Sequence, residues 1–344
     1  MDNYKDTVLT ENMKIKDAII TIEKSHSKIG LVVNKDFKLI ATISDGDIRR
    51  GILKGLTLDS PITEILHLNF ISVGADKSRD EIIEIMKIND INQIPIINEK
   101  GKLIGLHLLN EFIGKRDINN IVVIMAGGKG KRLRPFTEIC PKPMLKIGEK
   151  PILEIIINRF KDHGFKNFYI SVNYLKEQVI NYFGDGQKLN INIQYIIEKE
   201  PLGTAGSLKK LPTSEKNPYL VVNGDVISSF NPSQVLEFHM TNKSDMTICA
   251  HNYEHKIPFG VMETKGIKLQ KILEKPSYHY LVNAGVYVID PSLNTFIPED
   301  KFFDMPDLIN ACSTNKKEIN VFPIHEYWLD IGLHENLKEA RKKF

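Results

Sequence analysis

The chain has 344 residues, which at roughly 150 residues per domain predicts two domains rather than one. Hydrophobic residues make up 42% and charged residues 26%, a balance that excludes a wholly disordered or fibrous chain. The net charge of +3, from 46 basic and 43 acidic residues, leaves no surplus for a broad surface that binds nucleic acid.

The three cysteines, Cys140, Cys249 and Cys312, are odd in number and far apart, so we predict free thiols rather than a disulfide framework. No run of about 18 apolar residues occurs, and the first residues are polar and mixed in charge. We therefore expect a cytoplasmic protein with neither a membrane span nor a secretory signal.

Two similar segments lie near the start of the chain. Each has an amphipathic helical stretch, two short apolar strand-like runs joined by a polar turn, and a further helix. These fall at 15–24, 29–34, 39–43 and near Asp47 in the first segment, and at 79–89, 94–98, 103–107 and near Glu111 in the second. Ala41 aligns with Gly105, which gives a repeat of 64 residues.

Each unit is too small to bury both faces of its two strands, so we expect the two units to pack together. The pattern resembles a tandem pair of CBS domains. We place this pair at residues 1–118, with the polar segment 114–120 as the linker, and a second domain at 119–344.

The second domain alternates apolar strand-like runs with amphipathic helical stretches. The expected strands are 121–125, 168–172, 193–197 and 219–222, and the expected helices are 152–163, 175–183 and 204–210. Apolar strands, each followed by a helix, predict a Rossmann-like α/β fold with a doubly wound, mostly parallel sheet. In such sheets, ligands bind beyond the carboxyl ends of the strands.

A glycine-rich segment follows the first of these strands. Gly127, Gly128 and Gly130 let the backbone come close to a ligand and present its N–H groups. Arg132 and Lys142 add positive charge nearby. Glycine amides and cations together suit a polyphosphate ligand.

Two well-known nucleotide-binding patterns do not fit this segment. The dinucleotide fingerprint of nicotinamide dehydrogenases needs a third glycine where Leu133 stands, and a Walker loop needs serine or threonine where Arg132 stands. What does fit is G-G-x-G-x-R-L followed by P-K-P, which resembles the signature of the sugar-1-phosphate nucleotidyltransferases. Lys131 departs from that signature, because most members carry threonine there.

The resemblance implies roles for this loop. The backbone at Ala126, Gly127 and Gly128 contacts the nucleotide, with Gly130 in the same loop. Arg132 steadies the β- and γ-phosphates, and Lys142 stabilises the α-phosphate.

A second nucleotide-binding segment is Glu200-Pro201-Leu202-Gly203-Thr204-Ala205-Gly206, which resembles the guanylyltransferase branch of the family. A helix that begins near Thr204 would direct backbone N–H groups at a base edge or a phosphate. The resemblance places Glu200, Gly203 and Thr204 against the nucleotide, and a plain N-cap role for Thr204 is the alternative.

Two aspartates are candidate magnesium ligands. Asp225 follows the apolar run 219–222, and Asp330 lies in a W-x-D-x-G segment. Both match metal-binding aspartates of the family, and Mg²⁺ prefers oxygen ligands close to substrate phosphates. Each could instead be a helix cap or a turn residue.

Three segments resemble the sugar-phosphate side of the family site. They contain Gly260, the pair Glu274 and Lys275 in E-K-P, and Asn283 in N-A-G. The resemblance implies that Glu274 and Asn283 bind the sugar and that Lys275 pairs with its phosphate. An exposed ion pair is the alternative for Glu274 and Lys275.

The implied reaction joins a nucleoside triphosphate to a sugar 1-phosphate and releases pyrophosphate, with Arg132, Lys142, Asp225 and Lys275 as catalytic residues. The domain order resembles the glucosamine-1-phosphate guanylyltransferases of legionaminic acid synthesis, which implies GTP and glucosamine 1-phosphate. Mannose, heptose or glucose 1-phosphate with another triphosphate stays open, as does a nucleotide sensor without catalysis.

CBS pairs usually bind adenosine nucleotides through a Ser/Thr and an Asp three residues apart. The first repeat supplies Ser44 and Asp47, with Arg49 in reach of a phosphate. The second repeat has Leu108 and Glu111 at the aligned positions, so we expect at most one good site per chain. A purely structural module that joins copies of the chain into a homo-oligomer is the alternative.

Overall fold

The computed structural model describes residues 2–25, 27–109, 112, 117–212 and 214–343. It divides into two compact units, Met1–Arg116 and Asp117–Phe344. The strand that opens the second unit begins at Ile118, so residues 118–120 belong to the sheet and not to a linker as the sequence suggested. Residues 114–116 of that expected linker lie outside the described residues.

The first unit contains the two expected repeats. Its elements are β1 (Val8–Thr10), α1 (Ile15–Ser25), β2 (Ile29–Val33), β3 (Leu39–Ser44), α2 (Asp45–Leu53), β4 (Val73–Gly74), α3 (Arg79–Ile88), β5 (Gln93–Ile97) and β6 (Leu103–Leu108). Ala41 pairs with Val32 and Gly105 pairs with Ile96, so equivalent strand pairs recur at the predicted spacing. Glu111 lies outside the described residues.

Each repeat forms a three-stranded sheet, not the two-stranded piece that the sequence predicted. The additional strands β1 and β4 run parallel to β2 and β5. They are three and two residues long, too short to show a periodic pattern. The third strand supplies a further surface against which helix α1 packs, through Ile15, Ala18 and Ile22.

The second unit has thirteen strands among its described residues, and seven of them form one large sheet. Its strands are β7 (Ile118–Met125), β8 (Lys146–Ile147), β9 (Lys150–Pro151), β10 (Phe165–Val172), β11 (Asn192–Ile197), β12 (Tyr219–Asn223), β13 (Val226–Ser228), β14 (Met246–Lys256), β15 (Val261–Lys265), β16 (Lys268–Leu273), β17 (Ser277–Ile289), β18 (Ile319–Ile324) and β19 (Trp328–Asp330). Its helices are α4 (Ile152–Lys161), α5 (Lys176–Phe183), α6 (Gly203–Gly206), α7 (Pro232–Thr241), α8 (Met305–Thr314) and α9 (His334–Lys343).

The order of the large sheet is β11-β10-β7-β12-β17-β14-β18, and only the pairings of β17 with β12 and β14 are antiparallel. The predicted doubly wound, mostly parallel sheet is therefore confirmed. Alternate side chains of β7 enter different cores: Val122 and Ile124 pack with α4, α5 and α9, whereas Ile121 and Val123 pack with α6 and α8. Both faces are covered, as the apolar strands predicted.

The helix predicted at 204–210 differs from the observed structure. A single turn of α-helix covers Gly203–Gly206 and a 3-10 turn covers Ser207–Lys210. Two glycines in the first turn weaken a continuous helix there. Among the described residues, no helix has both the length and the apolar character needed to cross a bilayer.

Candidate active site

A cleft of about 240 Å³ lies at the carboxyl ends of β7 and β12. Asn223 pairs with Met125, and the amide of Gly224 donates to the carbonyl of Met125 at 2.9 Å, so the loops that follow these strands are neighbours. The cleft is lined by Gly128, Gly130, Lys131, Arg132, Leu133, Lys142, Asp225 and Gly332. Five predicted site residues, Gly128, Gly130, Arg132, Lys142 and Asp225, are therefore brought together here.

The shape of the glycine-rich loop depends on Gly130. Its φ of 59° is left-handed, and a Cβ there would lie 2.9 Å from the Thr137 methyl carbon and 3.1 Å from Cβ of Lys142. The Thr137 hydroxyl donates to the Gly130 carbonyl at 2.8 Å, and the Leu133 amide donates to the same carbonyl at 2.9 Å. This turn directs Arg132 and Lys142 toward one cleft.

Arg132, Lys142 and the carboxylate of Asp225 line the cleft, and a second carboxylate, that of Asp330, lies next to it. Lys142, only 9% exposed, donates a hydrogen bond from Nζ to Asp225 Oδ2. Strand β13 pairs with β19 so that Val226 faces Asp330, and the Ile331 amide donates to the Asp225 carbonyl at 2.9 Å. A Cβ on Gly332 would lie 3.3 Å from Asp330 Oδ1 and 3.4 Å from a guanidinium nitrogen of Arg132.

Asp330 has the electrostatics expected of a metal ligand. Burial raises its pKa, the charge of Asp225 raises it further, and Lys142 and Arg132 oppose the shift. Within the described residues, its buried Oδ1 atom has no hydrogen-bond partner. An unpaired buried oxygen beside a second carboxylate costs free energy that a divalent cation would remove. The residues present therefore fit the expected magnesium ion.

The second segment that the sequence predicted to bind the nucleotide makes several hydrogen bonds within the protein. The hydroxyl of Thr204 donates to Asp304 Oδ1 at 3.1 Å and accepts from the amide of Met305 at 2.9 Å. Thr204 is not the N-cap of its own helix, which begins at Gly203, so the alternative role is wrong; its hydroxyl instead accepts from the first amide of helix α8, about 100 residues later in the sequence. The side chain of Glu200 is exposed.

Glu198, which the sequence interpretation did not single out, lies beside the glycine-rich loop. Its side chain is 9% exposed, and a Cβ on Gly127 would lie 3.2 Å from its Oε1 atom. The carboxylate accepts hydrogen bonds from the Ser171 hydroxyl and from the Leu202 amide, the latter at 3.0 Å. A buried acid just after strand β11 was the available indication, because ligands bind beyond the ends of such strands.

Of the predicted sugar-side residues, Gly260 lies just before β15, Glu274 and Lys275 lie in the turn after β16, and Asn283 lies in β17. A Cβ on Gly260 would lie 3.2 Å from Glu274 Oε2, so these two are neighbours. Asn283 donates to the Tyr287 hydroxyl at 2.7 Å and accepts from the Gly285 amide at 3.0 Å. The 240 Å³ cleft, as far as the described residues define it, is not lined by Gly260, Glu274, Lys275 or Asn283.

In the first unit, Ser44 and Asp47 form a capping box at the start of α2. Ser44 accepts from the Asp47 amide at 3.2 Å, and its own amide donates to Asp47 Oδ2 at 2.7 Å. Arg49 donates to Asp45 Oδ2 at 2.7 Å. All three residues that the sequence predicted to contact a nucleotide thus make hydrogen bonds within the protein, and Arg49 is only 3% exposed.

Comparison with known proteins agrees with this architecture. The family model described as nucleotidyl transferase matches residues 121–344, and the CBS domain model matches residues 5–54 and 62–106. The chain therefore belongs to the nucleotidyl transferase family and carries a CBS pair ahead of the family domain.

Individual relatives match the same domain. A mannose-1-phosphate guanyltransferase of Yarrowia lipolytica is 32% identical over 225 residues, which covers 61% of this chain and 60% of the relative. The bifunctional protein GlmU of Methanococcus maripaludis is 32% identical over 232 residues, or 64% of this chain and 54% of that protein. The chain thus matches little more than half the length of these relatives.

A solved structure is also similar. HddC from Yersinia pseudotuberculosis, complexed with GMP-PN, is 26% identical with a TM-score of 0.52. The match covers 65% of this chain and 99% of HddC.

Proposed function

We propose that this protein transfers a nucleotidyl group from a nucleoside triphosphate to a sugar 1-phosphate and releases pyrophosphate. The observation that carries the proposal is the cluster of Arg132, Lys142, Asp225 and Asp330 beside a glycine-rich loop. It supports the proposal because two cations could neutralise a triphosphate and two neighbouring carboxylates could hold a divalent cation.

The reaction brings together two anions that repel each other, so positioning and charge neutralisation supply most of the catalysis. A phosphate oxygen of the sugar 1-phosphate attacks the α-phosphorus, and the bond to the bridging oxygen of the β-phosphate breaks. Lys142 stabilises the charge that develops on the α-phosphate, and Arg132 holds the departing phosphates. Lys275 pairs with the incoming sugar phosphate.

Asp225 and Asp330 would hold the divalent cation, which supplies Lewis-acid neutralisation of phosphate oxygens when bound. Without the cation, the ammonium group of Lys142 compensates the negative charge of Asp225 through their hydrogen bond. The position of Asp330 next to Arg132 keeps both carboxylates among compensating charges.

We infer that GTP is the preferred triphosphate. Guanine presents two neighbouring donors, N1–H and N2–H₂, and the carboxylate of Glu198 can accept more than the two bonds it already makes. Its closeness to Gly127 supports this choice, because the family resemblance implies that the backbone there contacts the nucleotide. The similarity to guanyltransferases and to a protein complexed with GMP-PN also supports this choice.

Replacing Glu198 with glutamine is expected to lower kcat/KM for GTP by about 10- to 100-fold. It is also expected to raise the ratio of kcat/KM for UTP to kcat/KM for GTP. The glutamine side chain still has an oxygen that can accept from the backbone amide of Leu202. It presents one donor group and one acceptor group to the base, and this pair matches uracil better than guanine. Steady-state kinetics with both triphosphates tests this. Glu99→Gln, at an exposed turn of the first unit, is the control, and an unchanged ratio in Glu198→Gln would contradict the assignment.

For the sugar, we propose glucosamine 1-phosphate, in a route to legionaminic acid, with mannose 1-phosphate supported about equally by the relatives. A pyrophosphate-release screen tests the whole proposal: four triphosphates against glucosamine, mannose, glucose and heptose 1-phosphates, with Mg²⁺. GTP is expected to give the fastest release. No release with any pair would favour a nucleotide sensor without catalysis.

We also propose that Ser44, Asp47 and Arg49 bind an adenosine nucleotide in a CBS pair that joins copies of the chain. Their position at the start of α2 supports this, because the first turn of a helix directs backbone N–H groups toward a phosphate. Isothermal titration of the full chain with AMP is expected to show one site per chain, weakened at least about tenfold in Asp47→Ala. An identical isotherm for this variant would count against the site, and light scattering of the same samples gives the oligomer size.

A further inference from the structure

The turn that follows Glu198 is held by a segment about 100 residues later in the chain. The amides of Ala205 and Gly206 both donate to the carbonyl of Phe303, at 3.0 and 2.9 Å. In the opposite direction, the Phe303 amide donates to the Leu202 carbonyl at 2.9 Å. Both ends of the segment 202–206 are therefore hydrogen-bonded to Phe303, just before the start of helix α8.

The centre of this contact is the carboxylate of Asp304. Its Oδ1 atom accepts from the Thr204 amide at 2.9 Å and from the Thr204 hydroxyl at 3.1 Å. The same hydroxyl accepts from the Met305 amide at 2.9 Å. Both hydrogen-bonding roles of that hydroxyl are therefore used inside the protein, and Asp304 fixes where the turn lies.

Residues 202–206 and the segment that contains Phe303 and Asp304 lie so close together that there is no room for a side chain between them. Gly203 has a φ of 78°, and a Cβ there would lie 2.7 Å from both Asp304 Oδ1 and the Phe303 carbonyl oxygen. Contacts below 3.0 Å of this kind are excluded by sterics. The glycine is thus required by the contact with Asp304 as well as by its own backbone angle.

These hydrogen bonds determine which backbone amides of residues 202–206 are still able to donate to a ligand. The amides of residues 202, 204, 205 and 206 all have protein acceptors. Within the described residues, Gly203 is the member of the turn whose amide has no protein acceptor. The turn therefore offers one N–H group beside Glu198, and the position of that group depends on the Thr204–Asp304 bonds.

We propose that Asp304 is a positioning residue for nucleotide selection: by holding Thr204 it sets the Gly203 amide and the Glu198 carboxylate in one fixed arrangement against the base. Glu198 joins the same unit through the bond from the Leu202 amide. This inference rests on the proposed nucleotidyl transfer. Asp304 is not among the described residues that line the 240 Å³ cleft.

The test is steady-state kinetics of the full chain with Asp304→Ala and Asp304→Asn. Asp304→Ala is expected to raise KM for GTP about 10- to 100-fold, because a charged acceptor of two hydrogen bonds is lost, while kcat and KM for the sugar 1-phosphate change less than about threefold. Asp304→Asn keeps the Oδ1 acceptor and is expected to restore KM for GTP to within about threefold of the wild type.

Asp307→Ala is the matched control. Asp307 accepts from the Asp304 amide at 3.0 Å and so stabilises the same helix start, but its carboxylate is not among the bonds that hold Thr204. It is expected to lower Tm like Asp304→Ala and leave KM for GTP unchanged. Equal KM values in the two alanine variants would overturn the inference, whereas a wild-type chain inactive with every substrate pair would overturn the proposed function instead.

Discussion

Replacing Asp225 with asparagine is expected to lower kcat by about 10²–10³-fold or more while the protein stays folded. Asparagine keeps the shape of the side chain and an oxygen that accepts from Lys142. It removes the negative charge that, together with Asp330, would hold the divalent cation. The loss should therefore appear in the chemical step and in the metal requirement, not in the fold.

Pyrophosphate release under saturating substrates measures this loss, and circular dichroism with a thermal melt checks the fold. Asp300→Asn is the matched control, because Asp300 pairs with Lys210 at an exposed ion pair of the same unit. An exposed pair contributes about 0–1 kcal/mol, so this control should retain wild-type turnover. Near-full pyrophosphate release by folded Asp225→Asn would refute the assignment of the metal pair.

The cluster that we propose to be catalytic was predictable because its residues follow the ends of two parallel strands. The run 121–125 and the run 219–222 are apolar throughout, and the polar groups that follow them had to meet if the strands were adjacent. They are adjacent, since β7 pairs with β12. The family signature then selected Arg132, Lys142 and Asp225 from the many charged residues of the chain.

The contacts of the turn at residues 202–206 were not predictable from the local sequence pattern. Thr204 reads as an N-cap from its neighbours, but its hydroxyl accepts from the first amide of a different helix, which begins at Met305. Glu198 and Glu200 are both acids in one short stretch, and only packing makes the first buried and the second exposed. Such choices depend on contacts between distant segments, which single-sequence periodicity does not contain.

The largest remaining expected effect is at Lys142, where replacement by methionine should also lower kcat by about 10²–10³-fold. Methionine fills much of the same space at this buried position but cannot donate to a phosphate. The same change frees Asp225 from its cationic partner. Since Lys142 and a divalent cation would share the same carboxylate, metal affinity in Lys142→Met should be equal to the wild type or higher.

This combination separates a catalytic role of Lys142 from a structural one. Mn²⁺ binding followed by electron paramagnetic resonance is expected to be at least as tight in Lys142→Met as in the wild type, although turnover is lost. Lys210→Met, which breaks the exposed pair with Asp300, should change neither quantity. If Lys142→Met lost Mn²⁺ binding along with turnover, Lys142 would be needed to hold the carboxylates in place. Its charge would then act on the geometry of Asp225 and Asp330 instead of on the α-phosphate.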